Sequence, residues 1–426
     1  MRGGGAGREA LPGGVACGRG PGFGLGSWGA AGRGLVLAAA LGVVVGGCAP
    51  SGWFGDSPGK GKVETVAEYR EPKPAAVRDG GLLLEKRWSR SVASEADEHF
   101  SHPGHSVLEG KDLFVATSQG EVVRVDARDG GVHWRVDTEG GISGGVALAA
   151  GRLFVGNREG VLLALDRESG KPLWKRNVGS SVSSAPAVAG ERLVVVTLDG
   201  HVHAFRTTDG EPLWVHESPF EPQVVMGSAT PVMDKGLVYV GLASGEVTAL
   251  SQQDGRPKWS HNLSQSRRGG EIEMLRDVDA DVVLMPVSAP GLRMAYAVSF
   301  QGNMVALHAE SGDLLWERAV SAIRRPLILN NQLIVPDLEG NLVALSADDG
   351  VVLWKTRLSD GLLTAPVEYR GKIGVADGGG RLFVVEPASG RVLGMERLGE
   401  AILADPMVAH EGIYLWSNEG NVILVH

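Results

Sequence analysis

The chain has 426 residues, 43% of them hydrophobic, which is enough for one large or two ordinary globular domains. It holds only 2 Cys, so a disulfide-stabilised scaffold is excluded. Its formal net charge of -9 argues against nucleic acid as the main partner.

The first 47 residues predict a secretion signal. Residues 1–34 are rich in Gly and Arg without an apolar period, which makes an unusually long n-region, and Leu35 to Val45 form an apolar run too short to span a bilayer. This run leads into "VGGC", and small residues before a Cys resemble the lipobox of bacterial lipoproteins. The resemblance implies cleavage before Cys48 and lipidation of that residue; an ordinary signal peptide with an incidental Cys is the alternative.

The segment from 48 to 81 is dominated by Gly, Pro and charged residues, and it predicts a lipidated Cys followed by a flexible tether. Ala49 follows the Cys, where an Asp would retain an enteric lipoprotein in the inner membrane. By the same resemblance, the expected location is therefore the outer membrane, on its periplasmic face, with the lipid as the only membrane anchor.

The rest of the chain is built from repeats with a period of about 40 residues. Each unit begins with a Gly and continues with alternating apolar residues, as in "GVLLALD" at Gly160, so these segments are strands. The eight unit glycines are Gly120, Gly160, Gly200, Gly245, Gly302, Gly340, Gly380 and Gly420.

Six units contain a second Gly and then a Trp, as in "DRESGKPLW" from Asp166 to Trp174. The Gly favours a tight hairpin turn, so each unit holds about four short antiparallel strands, which is the pattern of a propeller blade. A flat Trp on the fourth strand is expected to fill the gap between blades; a ligand platform is the less favoured reading. The blade-packing tryptophans are Trp134, Trp174, Trp214, Trp259, Trp316 and Trp354.

The eighth unit ends at His426 without a fourth strand. The missing strand is predicted in "LLLEKRWSRSV" at Leu82 to Val92, where Trp88 takes the place of the blade Trp. Pairing this strand into the last blade closes the ring and removes the long unpaired edges. The predicted fold is therefore an all-β, eight-bladed propeller of four-stranded antiparallel blades, one domain from 82 to 426.

Two consecutive repeat intervals are enlarged: 31 residues from Trp214 to Gly245 and 43 from Trp259 to Gly302, against 26 in an ordinary unit. Much of the excess lies in the connections that enter blades four and five. Such connections emerge on one face of the ring, and large loops that share a face are where function tends to sit.

The pattern of Pro, unit Gly, "AL", Asp, second Gly and Trp resembles the repeat of the pyrroloquinoline-quinone (PQQ) propeller superfamily. The stretch "EIEMLRDVDADVV" at Glu271 to Val283 is similar to a loop of propeller lipoproteins from the outer-membrane β-barrel assembly (BAM) machinery. The resemblance implies a non-enzymatic scaffold without a cofactor. Its implied partners are the periplasmic POTRA region of BamA and nascent outer-membrane β-barrel proteins.

The same resemblance implies that the two enlarged loops carry the partner-binding residues. Met226 replaces an Arg of the family pattern, which puts that ionic contact in doubt, and Arg276 is a candidate to compensate. Carboxylates on a loop suit Lys or Arg of a partner, and the Val-Met pair suits a small buried anchor; the alternative is that the acidic pair only solvates the loop. The implied binding residues are Val225, Met226, Gly227, Arg276, Asp277 and Asp279.

Two other functions stay open. A PQQ-dependent dehydrogenase would need a quinone platform and Ca²⁺ ligands, and "DVDAD" from Asp277 alternates carboxylates but lacks the Gly turn and distal Glu of a calcium loop. The histidines of "HFSHPGH" from His99 fit no standard zinc spacing, and His201 and His203 are expected to be surface or satisfied core residues. A periplasmic propeller that binds a polysaccharide or a signalling partner is the second alternative.

Overall fold

The computed structural model describes residues 84–93, 106–218, 229–263, 278–286, 293–300, 302–402 and 404–426. These residues form eight separate four-stranded antiparallel sheets and contain no helix. The prediction of an all-β propeller with eight four-stranded blades is confirmed.

The strands carry the numbers β1 to β32 in chain order. They are β1 (Lys86–Ser91), β2 (Val107–Glu109), β3 (Asp112–Ala116), β4 (Glu121–Asp126), β5 (Val132–Asp137), β6 (Ile142–Ala149), β7 (Arg152–Asn157), β8 (Val161–Asp166), β9 (Pro172–Asn177), β10 (Ala187–Ala189), β11 (Arg192–Val196), β12 (Val202–Arg206), β13 (Pro212–His216), β14 (Val232–Asp234), β15 (Leu237–Gly241), β16 (Glu246–Ser251), β17 (Pro257–Asn262), β18 (Val283–Pro286), β19 (Arg293–Val298), β20 (Met304–His308), β21 (Leu314–Arg318), β22 (Leu327–Leu329), β23 (Gln332–Pro336), β24 (Asn341–Ser346), β25 (Val352–Arg357), β26 (Val367–Tyr369), β27 (Lys372–Ala376), β28 (Arg381–Val385), β29 (Val392–Arg397), β30 (Met407–Ala409), β31 (Gly412–Trp416) and β32 (Asn421–Val425).

Each of the first seven blades takes four consecutive strands, so blade one is β2 to β5 and blade seven is β26 to β29. Blade eight is β30, β31, β32 and then β1. The first strands of neighbouring blades lie beside one another, as β2 does with β6 and with β30. The first strands therefore line a central channel, and the fourth strands form the outer rim.

The hydrophobic core lies between the blades. The second and third strands of a blade are almost fully buried, because both faces of each sheet pack on a neighbouring sheet. Val194 and Val196 of blade three, for example, share a cluster with Trp214 and with Val238 of blade four. The sequence predicted strands from alternate apolar positions, but with both faces covered the central strands are buried at successive positions, as in β8.

The N-terminal strand closes the ring, as predicted. Trp88 of β1 lies opposite Leu424 of β32, and the backbone groups of Glu85 and His426 exchange hydrogen bonds of 2.9 and 3.1 Å. The Trp88 Nε1 atom also donates to the carbonyl of Arg128 in blade one at 3.0 Å. The last blade is thus joined to the first by the chain's first strand.

The tryptophans of the fourth strands share one role in the structure. Each indole Nε1 donates to a carbonyl in the turn between the third and fourth strands of the next blade, at 2.8 to 3.1 Å. With the Trp88 bond, these bonds join neighbouring blades at every boundary except that between blades seven and eight, where Gly394 of β29 takes the Trp position. The pairs are Trp134 with Arg167, Trp174 with Thr207, Trp214 with Gln252, Trp259 with Ala309, Trp316 with Ala347 and Trp354 with Pro387.

Candidate partner-binding face

One face of the ring carries two kinds of segment: the connections between blades and the turns between second and third strands. Backbone hydrogen bonds join them, from Arg158 N–H to Gly141 O at 2.7 Å and from Leu198 N–H to Ser181 O at 2.8 Å. A residue in a blade connection therefore lies beside the turn of a neighbouring blade. We call this the connection face.

The two enlarged connections begin and end on the connection face, where their last residues lie side by side. The first runs from the end of β13 to the start of β14, and the second from the end of β17 to the start of β18. Their central parts, 219–228 and 264–277, lie outside the described residues. The residues of these parts that the resemblance implies are Val225, Met226, Gly227, Arg276 and Asp277. Cys48, near the N-terminus, also lies outside the described residues.

Val278 fixes the end of the second connection to blade four. Its side chain is 1% exposed and packs in the cluster between blades four and five. Its N–H donates to Leu242 O at 3.3 Å, and a Cβ atom at Gly241 would stand 2.5 Å from Val278 Cγ1. The valine of the Asp-Val-Asp motif is thus a buried anchor, and the absent side chain at residue 241 makes room for it.

Asp279 is described, and its side chain is only 8% exposed. It lies between Val278 and Ala280, which are both 1% exposed. Its carboxylate is covered within this chain, in a region where burial of a charge costs free energy unless polar partners compensate. The sequence pattern implied the same partner-binding role for Asp279 as for Asp277 and did not predict that Asp279 is buried.

Asp281 joins the ends of the two connections. Its Oδ1 atom accepts a hydrogen bond of 2.7 Å from the backbone N–H of Thr230, which precedes the first strand of blade four. Asp281 itself precedes the first strand of blade five and is 8% exposed. The exits of both loops are therefore held by one carboxylate-to-amide bond, a contact that the sequence pattern did not single out.

Two histidines stand where the enlarged connections begin. His216 ends β13, and His261 is the penultimate residue of β17. Burial lowers the pKa of His216, and the charge of Glu246 acts in the opposite direction. Burial likewise lowers the pKa of His261, opposed by Glu317. Both imidazoles are thereby favoured in the neutral form at neutral pH.

A third histidine lies deeper in blade three. His203 is 8% exposed and stacks on Phe205, with ring centroids 6.3 Å apart and planes 10° from parallel. Burial lowers the pKa of His203, and Asp199 acts against that shift. His201, half-buried, lies 3.4 Å from Asp199, measured from Nδ1 to Oδ2.

Within the part of the chain that the structure describes, no group of three or more His, Cys, Asp or Glu side chains is placed to hold a metal ion. The histidines from His99 to His105 and the first carboxylate of "DVDAD", Asp277, lie outside that part. The described residues also contain no helix long and apolar enough to cross a membrane.

The fold and its repeated indole-to-carbonyl bonds define the class of protein: an eight-bladed β-propeller of PQQ-like repeats. The sequence profile of a family described as "Outer membrane protein assembly factor BamB" matches residues 118–356 and 338–425. The chain belongs to the BamB family.

Individual relatives agree with that assignment. The chain is 37% identical over 358 residues to BamB of Pseudomonas aeruginosa, an alignment that covers 83% of this chain and 92% of that protein. It is 29% identical over 198 residues to BamB of Legionella pneumophila and 27% identical over 198 residues to BamB of Escherichia coli. These two alignments cover 46% of this chain and span 50% and 49% of the length of the relatives.

Solved structures show the same fold. BamB from Moraxella catarrhalis superposes with a TM-score of 0.70 at 23% identity, over 81% of this chain and all of that chain. A quinohemoprotein alcohol dehydrogenase from Pseudomonas putida superposes with a TM-score of 0.66 at 12% identity, over 80% of this chain and 76% of that chain. Likeness at such identities shows the fold alone, because one propeller architecture serves many functions.

Proposed function

We propose that this protein is a non-enzymatic scaffold lipoprotein of the outer-membrane β-barrel assembly machinery. It is held to the periplasmic face of the outer membrane by a lipid on Cys48 and binds the POTRA region of BamA, assisting insertion of barrel proteins. Membership of the BamB family supports the assembly role. The observation that carries the binding site is the Thr230-to-Asp281 bond, which holds the exits of both enlarged connections together.

The contact chemistry follows from the loop residues. In this proposal Asp277 accepts hydrogen bonds from Lys or Arg of BamA, and Arg276 supplies the cation that Met226 does not. Val225 and Met226 form an apolar anchor of the kind that dominates protein interfaces. Asp279, the second carboxylate of the motif, is covered within this chain.

The test is a pull-down from detergent-solubilised membranes of the native host with the tagged full chain. Asp277→Arg and Met226→Asp place an opposite charge or a polar group at the proposed contact. Glu191→Arg is the matched control, because Glu191 is exposed in the turn after β10, on the face of the ring opposite the connections. Circular dichroism melting of each variant establishes that it is folded.

The expected result is that BamA is captured by the wild type and by Glu191→Arg, and that capture is strongly reduced for the two loop variants. Capture of no BamA by the wild type would overturn the assembly function. Undiminished capture by both folded loop variants would leave the function standing and move the binding site elsewhere.

A further inference from the structure

A cavity lies in the central channel on the side of blades four to seven. Its volume is about 460 Å³, within the range of small-ligand sites. The walls come from the first strands β14, β18 and β22, and from Pro366 at the start of the first strand of blade seven. The cavity adjoins the end of the second enlarged connection, because Asp281 and Val282, which precede β18, belong to its lining.

The charged residues of the cavity wall leave one cation uncommitted. Asp234 and Arg293 form an ion pair with each other. Asp281 is engaged by the Thr230 amide. Arg325 is exposed and has no hydrogen bond or ion pair to any residue within the described ranges. The side chain left to meet a ligand is therefore a guanidinium, which binds carboxylates in a bidentate geometry.

The position of Arg325 in the repeat makes it unusual. It directly precedes the first strand's Pro, and the corresponding residues of blades seven and eight are Ala365 and Asp405. There the Asp405 carboxylate accepts the Ala365 N–H at 2.9 Å and so joins the two blades. Arg324, which directly precedes Arg325, also contacts this carboxylate: its Nη1 atom lies 3.8 Å from Asp405 Oδ1. Arg325 takes no part in this joining of blades.

The remaining wall suits an extended peptide. Val283, Leu284, Leu327 and Ile328 supply apolar surface. The strands β14, β18 and β22 stand at the ends of their sheets, so one edge of each faces the channel with backbone groups that no strand pairs. A peptide can hydrogen-bond to such an edge, whereas a fatty acid offers only its carboxylate.

We propose that this cavity binds the carboxyl terminus of an extended polypeptide, with the terminal carboxylate on the Arg325 guanidinium and an apolar last side chain against the inner strands. The inference does not depend on the proposed function, because it rests on Arg325 and the inner strands and not on the proposed BamA contacts. It needs only the propeller itself.

The experiment measures binding of a fluorescein-labelled octapeptide of alternating Ser and Val or Leu, ending in Leu, by fluorescence anisotropy with the full chain in non-ionic detergent. One peptide has a free carboxylate and its twin an amidated terminus. Arg325→Gln removes the positive charge, whereas Arg325→Lys keeps the charge but cannot donate two parallel hydrogen bonds to a carboxylate. Arg256→Gln is the matched control, because its side chain is 83% exposed in a turn far from the channel.

Amidation and Arg325→Gln are each expected to weaken binding at least about tenfold, the effect of losing one charge-assisted contact, with Arg325→Lys in between and Arg256→Gln unchanged. Three results would each overturn the proposal: no saturable binding up to about 1 mM peptide, equal binding of the amidated twin, or undiminished binding by folded Arg325→Gln. Decanoate is added as a competitor, because a fatty acid is the other ligand that could place a carboxylate on Arg325. Binding of decanoate through Arg325 without binding of the peptide identifies a lipid site and also overturns it.

Discussion

Trp174 and Gly210 belong to neighbouring blades and lie so close that a Cβ atom at residue 210 would stand 2.7 Å from Cε3 of the indole. The backbone of Gly210 also has a φ of 70°, which L-residues other than Gly rarely adopt. Two independent constraints thus fix this glycine, and they explain why Gly and Trp recur together in the repeat.

Gly210→Ala is therefore expected to destabilise the propeller by about 2–4 kcal/mol, since overpacking adds to the cost of the left-handed backbone. Gly190→Ala is the matched control: its φ is 59°, but nothing lies within 4 Å of its Cβ position. That variant should lose only about 1 kcal/mol. Urea denaturation followed by Trp fluorescence compares them, and equal losses would show that the indole contact contributes nothing.

The blade pattern was predictable because it rests on short, repeated spacings. The unit glycine, the second glycine and Trp174 all lie within one unit, and each recurs around the ring. The same repetition could have revealed an aromatic residue in the second strand of several blades, which packs on the Trp of the same blade. The ring centroids of Phe154 and Trp174 are 5.9 Å apart, and those of Tyr296 and Trp316 are 5.8 Å apart. These aromatics occupy one register position and were overlooked.

Asp112 gives blade one a pH-dependent contribution to stability. It is 3% exposed and accepts hydrogen bonds from Arg124 Nε at 3.0 Å and from Arg167 Nη2 at 2.8 Å. Burial acts to raise the pKa of Asp112, but the two guanidinium groups outweigh it and hold the pKa below its usual value. A carboxyl whose folded pKa is depressed stabilises the protein above its unfolded pKa, near 4, and loses that contribution as the pH falls through the folded pKa.

Asp112→Asn should therefore lower the free energy of unfolding by about 2–3 kcal/mol at pH 7, because it removes the charge that Arg124 and Arg167 share and leaves them only Glu168 and Glu109 as acidic partners. The difference from the wild type should shrink as the pH falls below about 4. Glu411→Gln, at an exposed turn residue, serves as the control. Thermal melting from pH 7 to pH 3 measures the difference, and a gap that does not change with pH would contradict the assignment.

His203 is expected to make stability fall in mild acid. Burial lowers its folded pKa below the ordinary value near 6.5, so the unfolded chain binds the proton more readily than the folded chain. Its stabilising effect is complete above pH 6.5 or so and declines as the pH falls from there towards the folded pKa. His216 and His261 shift in the same direction and add to the effect.

The measurement is urea denaturation at pH 8 and at about pH 5.5, where the midpoint should be lower. His203→Phe, which keeps a ring stacked on Phe205, should reduce the difference between the two midpoints. His133→Phe is the control, because the side chain of His133 is 40% exposed. An unchanged pH difference in His203→Phe would show that other groups account for the acid sensitivity.

The site was less predictable than the fold because its contacts join residues far apart in sequence and occur once. The unequal repeat intervals located the two large connections. They could not reveal that Asp279 is buried, nor that the Thr230 amide, 51 positions away, donates to Asp281. The network of Arg124 with Asp112 and Glu168 was missed for the same reason, since Arg124 takes a register position held by Ala164 in the next blade.

The bond between Thr230 and Asp281 is expected to preorganise both loops for the partner. Asp281→Ala removes the acceptor, so the loop ends gain freedom that must be lost again on binding. We expect the affinity for purified BamA POTRA domains to fall about tenfold while the propeller stays folded. Asp405→Ala is the matched control, because Asp405 makes the equivalent bond to the Ala365 amide, between blades seven and eight. Biolayer interferometry compares the two, and equal affinities for both variants would show that the bond serves the ring and not the loops.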